Sequence, residues 1–365
     1  MPSFRDPALA RSLLAAIAEM AAHIDRVITF MEFCGGHTHA IMQSGIRQAL
    51  PANVRLLSGP GCPVCVTNQQ EIDQAIALAG LPGVTLTTFG DMMRVPGTTE
   101  TLQQAAARGA DVRVVYSPLD AVTLAEHHPE REVVFLGVGF ETTAPGVAAA
   151  MQTARARGVP NFSVFSMHKY TPPAMRAILD AGEVRLDGVI GPGHVSTIIG
   201  LRAWEFLPRE YGIPVVVAGF EPVDILLAMK MLVAQVVAGE AWAANGYRRS
   251  VRPQGNPVAL GMMAKVFEPV DAPWRGFGEL PASGMGVRAA WREFDARARF
   301  ILPDVPSREP PGCRCGEVLR GIMEPPACPL FGRACTPARP LGPCMISDEG
   351  ACAAHYLYSE WVVVS

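Results

Sequence analysis

Several features are scarce in this 365-residue chain, and each scarcity excludes something. No apolar run approaches the roughly 18 residues that a membrane-crossing helix needs, so no membrane role is expected. Net charge is -3, with 31 Lys and Arg against 34 Asp and Glu, and no basic patch favours a nucleic-acid partner. Neither G-x-G-x-x-G nor a Walker A sequence occurs, which argues against a tightly held nucleotide. The 35 Gly and 32 Pro are dispersed rather than massed in a low-complexity tract, as suits many tight turns. The N-terminus lacks the net-basic start and unbroken apolar core of a signal peptide, because Asp6 offsets Arg5 and Glu19 interrupts the apolar run. It reads instead as a surface helix with Leu13, Leu14, Ile17 and Met20 on one face. A cytoplasmic location is the expectation. There, paired thiols favour metal or redox chemistry over structural disulfides.

What the chain does contain is concentrated in Phe30 to Thr67, FMEFCGGHTHAIMQSGIRQALPANVRLLSGPGCPVCVT. Two apolar runs, each closed by a Gly-rich turn, read as strands ending at Cys34 and Cys62. Loops at the carboxyl ends of parallel strands are where ligands sit in open α/β sheets, so Cys34, His37, His39, Cys62 and Cys65 are expected to share one crevice. Strand patterns recur at 27–33, 54–58, 84–88, 112–116, 133–138, 162–166, 188–191 and 214–218, with helix patterns between them. That alternation predicts βαβ units and mostly parallel sheet. A weak echo of FMEFCGGHTHA in FLGVGFETTAPG, and of GPGCPVCV in GPGHVST, predicts two similar Rossmann-like α/β domains, at 1–130 and 131–250. Residues 251–365 form the remaining region, ending in a small cysteine-rich module. One long helix is expected from Asp224 to about Arg249, and another at Ala289–Ala298.

From Gly312 onward six cysteines fall within 41 residues: Cys313, Cys315, Cys328, Cys335, Cys344 and Cys352. Four of them can be written C-x14-C-x6-C-x16-C. Structural zinc sites usually present two tight knuckles, which this segment lacks. Long spacings with Pro beside Cys suit a cubane cluster better, with zinc and free or disulfide thiols as the alternatives. Cys62-Pro63-Val64-Cys65 sits where a helix N-terminus would lower a thiol pKa and allow dithiol–disulfide cycling; two buried small side chains are the bland alternative. Cys34 with His37 and His39 makes a soft sulfur–nitrogen set suited to iron, zinc or copper, or one His serves as a proton donor. Glu141, at a strand end before Thr142 and Thr143, is a candidate base or a support for one. Gly191-Pro192-Gly193-His194 and Gly219-Phe220-Glu221-Pro222 also close strands.

Taken together, FCGGHTHA, GPGCPVC, FETTAP and CTPARPLGPCMISDEGACAAHY, in that order, resemble the HypD family of hydrogenase maturation factors, from about residue 27 to 358. Members of that family help to assemble the Fe(CN)2CO group of nickel–iron hydrogenases. The resemblance implies a scaffold and redox protein that works with a HypC-type chaperone sharing the iron and a HypE/HypF-type cyanide donor system. It implies that Cys34 holds the transient iron carrying cyanide and carbon monoxide, with His37 in support, and that Cys62 and Cys65 are a redox pair. It assigns a [4Fe-4S] cluster to Cys313, Cys328, Cys335 and Cys352, with Cys315 as alternate to Cys313 and Cys344 outside the pattern. A self-standing thiol–disulfide or iron–sulfur reductase, and a zinc-binding interaction module, are the competing readings.

Overall fold

The computed structural model describes residues 4–302 and 305–359. Nine short strands form two parallel sheets: β1 (Ile28–Glu32), β2 (Val54–Ser58), β3 (Val84–Thr88), β4 (Asp111–Val114), β5 (Glu132–Gly137), β6 (Phe162–Ser166), β7 (Gly188–Gly191), β8 (Val215–Val217) and β9 (Ala243–Asn245). An antiparallel hairpin follows, β10 (Phe267–Trp274) and β11 (Gly278–Val287). Most strands are buried along most of their length, as is usual for parallel sheets. Phe30, for example, pairs in register with Leu56 on one side and Gly188 on the other, and Phe135 pairs with Val164. Fully burying such a side chain contributes about 1.5–3 kcal/mol. The α/β class and the parallel sheets agree with the sequence reading.

The sheet order departs from it. The first sheet runs β2-β1-β7-β8-β9 and the second β4-β3-β5-β6. The chain begins the first sheet, leaves to build the whole second sheet, and returns to finish the first. The division expected at 130/131 therefore falls inside the second sheet, between β4 and β5. The Gly-turn echo marks similar strand ends, whereas sheet membership is set by which apolar edges pair after collapse.

Each sheet reverses its winding once, at β1/β7 and at β3/β5. Such switch points leave a crevice at the strands' carboxyl ends. Local signals place the elements around them well. Asp6 caps the helix Pro7–Ala21 by accepting from Ala8 N at 2.8 Å, and Leu13 and Ile17 are buried beneath it. Asn68 and Glu71 form a reciprocal capping box that starts Gln69–Ala79 directly after the Cys62/Cys65 turn.

Two helices are shorter than expected. The one predicted to reach Arg249 ends at Ala238, where Gly239 adopts φ +66, and the following residues supply β9. The Ala289–Ala298 helix is a 3-10 turn, Ala289–Phe294, and a single turn, Ala296–Arg299, broken at extended Asp295. The hairpin β10–β11 was not foreseen, since its Pro and Gly content reads as loop. Among the described residues no helix is long and apolar enough to cross a membrane.

Candidate functional site

At the first switch point the chain leaves β1 with Phe33 N donating to Ile190 O at 3.3 Å, and Cys34 becomes the N-cap of the helix Gly35–Gln43. Buried Glu32 holds this corner. Its carboxylate accepts from Cys34 N at 2.9 Å and from the Thr38 hydroxyl. Burial lifts the Glu32 carboxyl to about 7, against the pull of those donors. Burial also pushes the Cys34 thiol up, as do the charges of Glu349 and Glu32, while the Gly36 and His37 amides pull it down. A cation at the sulfur inverts that balance, because it stabilises the thiolate directly. The second strand-end turn packs backbone to backbone on the first: a Cβ on Gly61 would stand 2.4 Å from Cys34 N.

His37 is fully buried. Its Nε2 donates to Gly219 O at 3.0 Å, and its Nδ1 has no hydrogen-bond partner. Its ring stacks on Phe220 at 4.6 Å, and Phe220 stacks in turn on His194 at 3.9 Å. Burial holds the imidazole at about 4, hence neutral near pH 7. The GPGH and GFEP turns thus do reach the Cys34 crevice. His39 makes different contacts, with Tyr358 at 3.3 Å and Asp348 O at 3.4 Å, and ties this helix to the C-terminal one.

Cys62 caps the short helix Pro63–Val66, its Sγ accepting from Cys65 N at 3.3 Å, and the two Sγ atoms are 2.6 Å apart. The expectation of a lowered thiol pKa fails for Cys65. Burial raises it, with the Cys344 and Cys62 sulfurs adding to the effect. A helix of only four residues has too small a dipole to offset complete desolvation. Cys65 Sγ also lies 3.9 Å from Pro343 O, at the edge of the cysteine module.

In that module Cys313, Cys315, Cys328, Cys335 and Cys352 line one small cavity with Val318, Leu330, Phe331 and Met345. The donor set is entirely sulfur in an apolar wall. Cys335 Sγ accepts from Leu341 N at 3.3 Å, as ligating thiolates commonly do. A Cβ on Gly342 would come within 2.6 Å of both Cys313 Sγ and Cys315 Sγ, so any side chain there would fill the cradle. Five thiols around one apolar cavity are the donor set that a thiolate-held group would need.

Cys344, which the spacing pattern left out, proves central. The neighbouring Cys315, Cys352 and Cys65 thiols hold its buried thiol well below the usual thiol range, and Pro343 O, beside it, lies 3.9 Å from Cys65 Sγ. The contacts with Cys315 and Cys344, and then burial, push Cys352 the opposite way. Cys344 therefore joins the module to the Cys62/Cys65 turn. The Pro before it was the available signal, but contact across 279 positions of chain has no local trace.

Glu141 is the expected residue that the fold sends elsewhere. It lies past β5 in the second sheet, and its oxygens accept from Thr171 N at 2.8 Å and Thr171 Oγ1 at 2.7 Å. It caps the helix Thr171–Ala181, and neither hydrogen bond reaches a thiol. Burial raises its carboxyl to about 7.

The family model for HypD, described as the hydrogenase formation hypA family, matches residues 8–359. A hydrogenase maturation factor HypD of Rhodobacter capsulatus is 49% identical over 364 residues, which are 97% of each chain. The HypD of Azotobacter vinelandii is 50% identical over 364 residues, 98% of this chain and 96% of the relative. That of Cupriavidus necator is 48% identical over 366 residues, with coverage of 98% and 96%.

Proposed function

Because the chain belongs to the HypD family of hydrogenase maturation factors, we propose that it is a scaffold that holds iron at Cys34 while cyanide and carbon monoxide are attached. One observation carries this reading. Gly61, beside Cys62, packs on the backbone of Cys34, the Sγ atoms of Cys62 and Cys65 are 2.6 Å apart, and Cys65 Sγ lies 3.9 Å from Pro343 O, next to Cys344 of the cysteine module. The iron is cargo. Cys34 offers it one thiolate and His37 Nδ1 an unused lone pair nearby in sequence, so further ligands come from a partner, for which a HypC-type chaperone is the candidate. A HypE/HypF-type system would bring the cyanide, and the work would take place in the cytoplasm.

Cys313, Cys328, Cys335 and Cys352 would hold a [4Fe-4S] cluster, with Cys315 as the alternate to Cys313. When bound, the cluster supplies electrons one at a time. Cys62 and Cys65 convert these to a pair. On closing to a disulfide they release two electrons and two protons. Cleaving a thiocyanate-type carrier takes up two electrons and one proton, giving a thiol and cyanide, and the second proton passes to solvent. Burial of Cys62 and Cys65 keeps bulk oxidants from the pair, and Glu32 holds the backbone of Cys34 still.

The test is elemental. Anaerobically purified protein should contain about four iron and four acid-labile sulfide per chain, both lost in Cys328→Ala. Infrared bands of iron-bound cyanide should form in the wild type with its partners and fail to form in Cys65→Ala. Zinc without sulfide would favour the interaction-module reading. Normal bands in Cys65→Ala would remove the redox pair from the scheme.

A further inference from the structure

The turn between β10 and β11, Trp274-Arg275-Gly276-Phe277, is driven into the seam between the Cys62/Cys65 turn and the cysteine module. Thr67 bridges to Trp274, and Arg275 N donates to Val66 O at 2.9 Å. The Arg275 side chain, only 1% exposed, returns to the same segment, donating from Nε to Thr67 O at 3.1 Å and from NH2 to Gln69 Oε1 at 3.1 Å. Its neighbour reaches the other way. Gly276 has φ +83, and a Cβ there would stand 2.5 Å from Gly316 Cα, the residue after Cys315. Backbone lies on backbone, and no larger residue fits. One carboxylate faces the guanidinium, that of half-exposed Glu309, 3.3 Å from Nη1.

A buried arginine is costly unless its donors are satisfied, and a hydrophobic side chain of similar volume often serves stability as well or better. Here the donors go to the segment that ends the redox turn, and the next residue, Gly276, packs on the module backbone at Gly316, so the buried charge sits one residue from the module. We propose that Arg275 is a positioning residue for electron transfer: it fixes the Cys62/Cys65 turn against the cysteine module and raises the reduction potential of the group held there. The inference rests on the proposed function above. Reduction adds negative charge to that group, so a nearby buried cation stabilises the reduced form, and Glu309 partly cancels the cation. The electrons come from an external one-electron donor. Two of them, with two protons, open the Cys62–Cys65 disulfide to two thiols.

The experiment is a redox titration of the cluster in whole, anaerobically purified protein, with iron and sulfide counted first. It is paired with the rate at which thiols of Cys62 and Cys65 become alkylatable after reduction by dithionite. Arg275→Met should lower the equilibrium constant for cluster reduction about tenfold, or 59 mV for one electron, and slow thiol appearance about tenfold. Arg275→Lys keeps the charge but not the paired donors, so it should restore most of the potential and little of the rate. Glu309→Gln, at the exposed rim, should move the potential the opposite way, by about twofold in the equilibrium constant. A loaded wild type with an unmoved Arg275→Met potential and rate overturns the inference alone. A wild type without sulfide overturns the proposed function, and the inference with it. Should Arg275→Met fail to fold or load, the Glu309→Gln potential decides: a rise supports the inference and no change overturns it.

Discussion

The two parallel sheets have the same kind of switch point and have furnished it differently. At β1/β7 the chain presents Cys34, a buried carboxylate, a buried imidazole with an unused nitrogen, and close-packed glycine turns. The crevice beside β3 and β5 is lined by Phe89, Gly90, Asp91, Val138 and Thr143, with Pro63 and Val64 of the Cys62/Cys65 turn and Ile346 to Glu349 across from them, and the acid past β5, Glu141, is already used as a helix cap. Shared topology supplies a crevice and nothing more. Chemistry comes from which side chains the strand-end turns carry, and here only turns of the first sheet carry thiols. The Cys62/Cys65 turn belongs to the first sheet as well, at the end of β2, so both thiol-bearing turns come from neighbouring strands. That adjacency makes the Gly61–Cys34 contact possible.

Substitutions can break this contrast or sharpen it. The largest effect is expected for Cys34→Ala: under the proposed function it should abolish iron retention when the protein is copurified with a HypC-type chaperone, as read by metal analysis. Iron held at wild-type levels would place the cargo elsewhere.

Next comes a pH effect at the second crevice. Glu141 has its carboxyl raised to about 7 in the folded chain, against 4.5 for the unaffected group. The folded state therefore binds more protons between these values, and stability falls as pH rises from about 4.5 through 7. The loss attributable to this residue is of order 3 kcal/mol by linkage. Chemical denaturation of Glu141→Gln should show a flatter pH profile than wild type over that range, with iron binding intact. A profile as steep as wild type would mean that Glu141 is ionised when folded.

Gly61→Ala should cost about 1–3 kcal/mol, since the new methyl meets the backbone of Cys34 rather than a flexible side-chain end. It should also displace Cys34 enough to weaken iron retention, which separates it from a purely structural lesion. The smallest effect is expected for Thr143→Ala in the second crevice. Its hydroxyl makes a single 3.3 Å hydrogen bond to Phe140 O, so the stability change should stay within about 1 kcal/mol and iron retention should be unaltered. A marked loss of iron in that variant would show that the two crevices are coupled.

Much of the site was legible because its signals are local. Strand-end glycines next to Cys34 and Cys62 mark turns whatever surrounds them, and an Asn or Asp before an apolar-periodic run starts a helix by capping its free N–H groups. Eight of the nine parallel strands stand out as apolar runs closed by turns. The ninth, Ala243–Asn245, was absorbed into a helix because Ala-rich sequence favours helix until an edge strand needs a neighbour. The β10–β11 hairpin was hidden for a related reason: its prolines and glycines lower intrinsic strand preference, and packing against the second sheet overrides it.

By itself, the sequence determined the α/β class, the strand ends, the thiols and the family to which they belong, since each rests on residue type and short-range spacing. Tertiary structure alone decided that the second sheet is inserted within the first, that Glu141 caps a helix, that Cys344 lies between the module and Cys65, and that Arg275 is buried between them. These are contacts between segments tens to hundreds of residues apart. They form only when apolar faces exclude water, and that exclusion depends on the whole surface buried rather than on any local pattern.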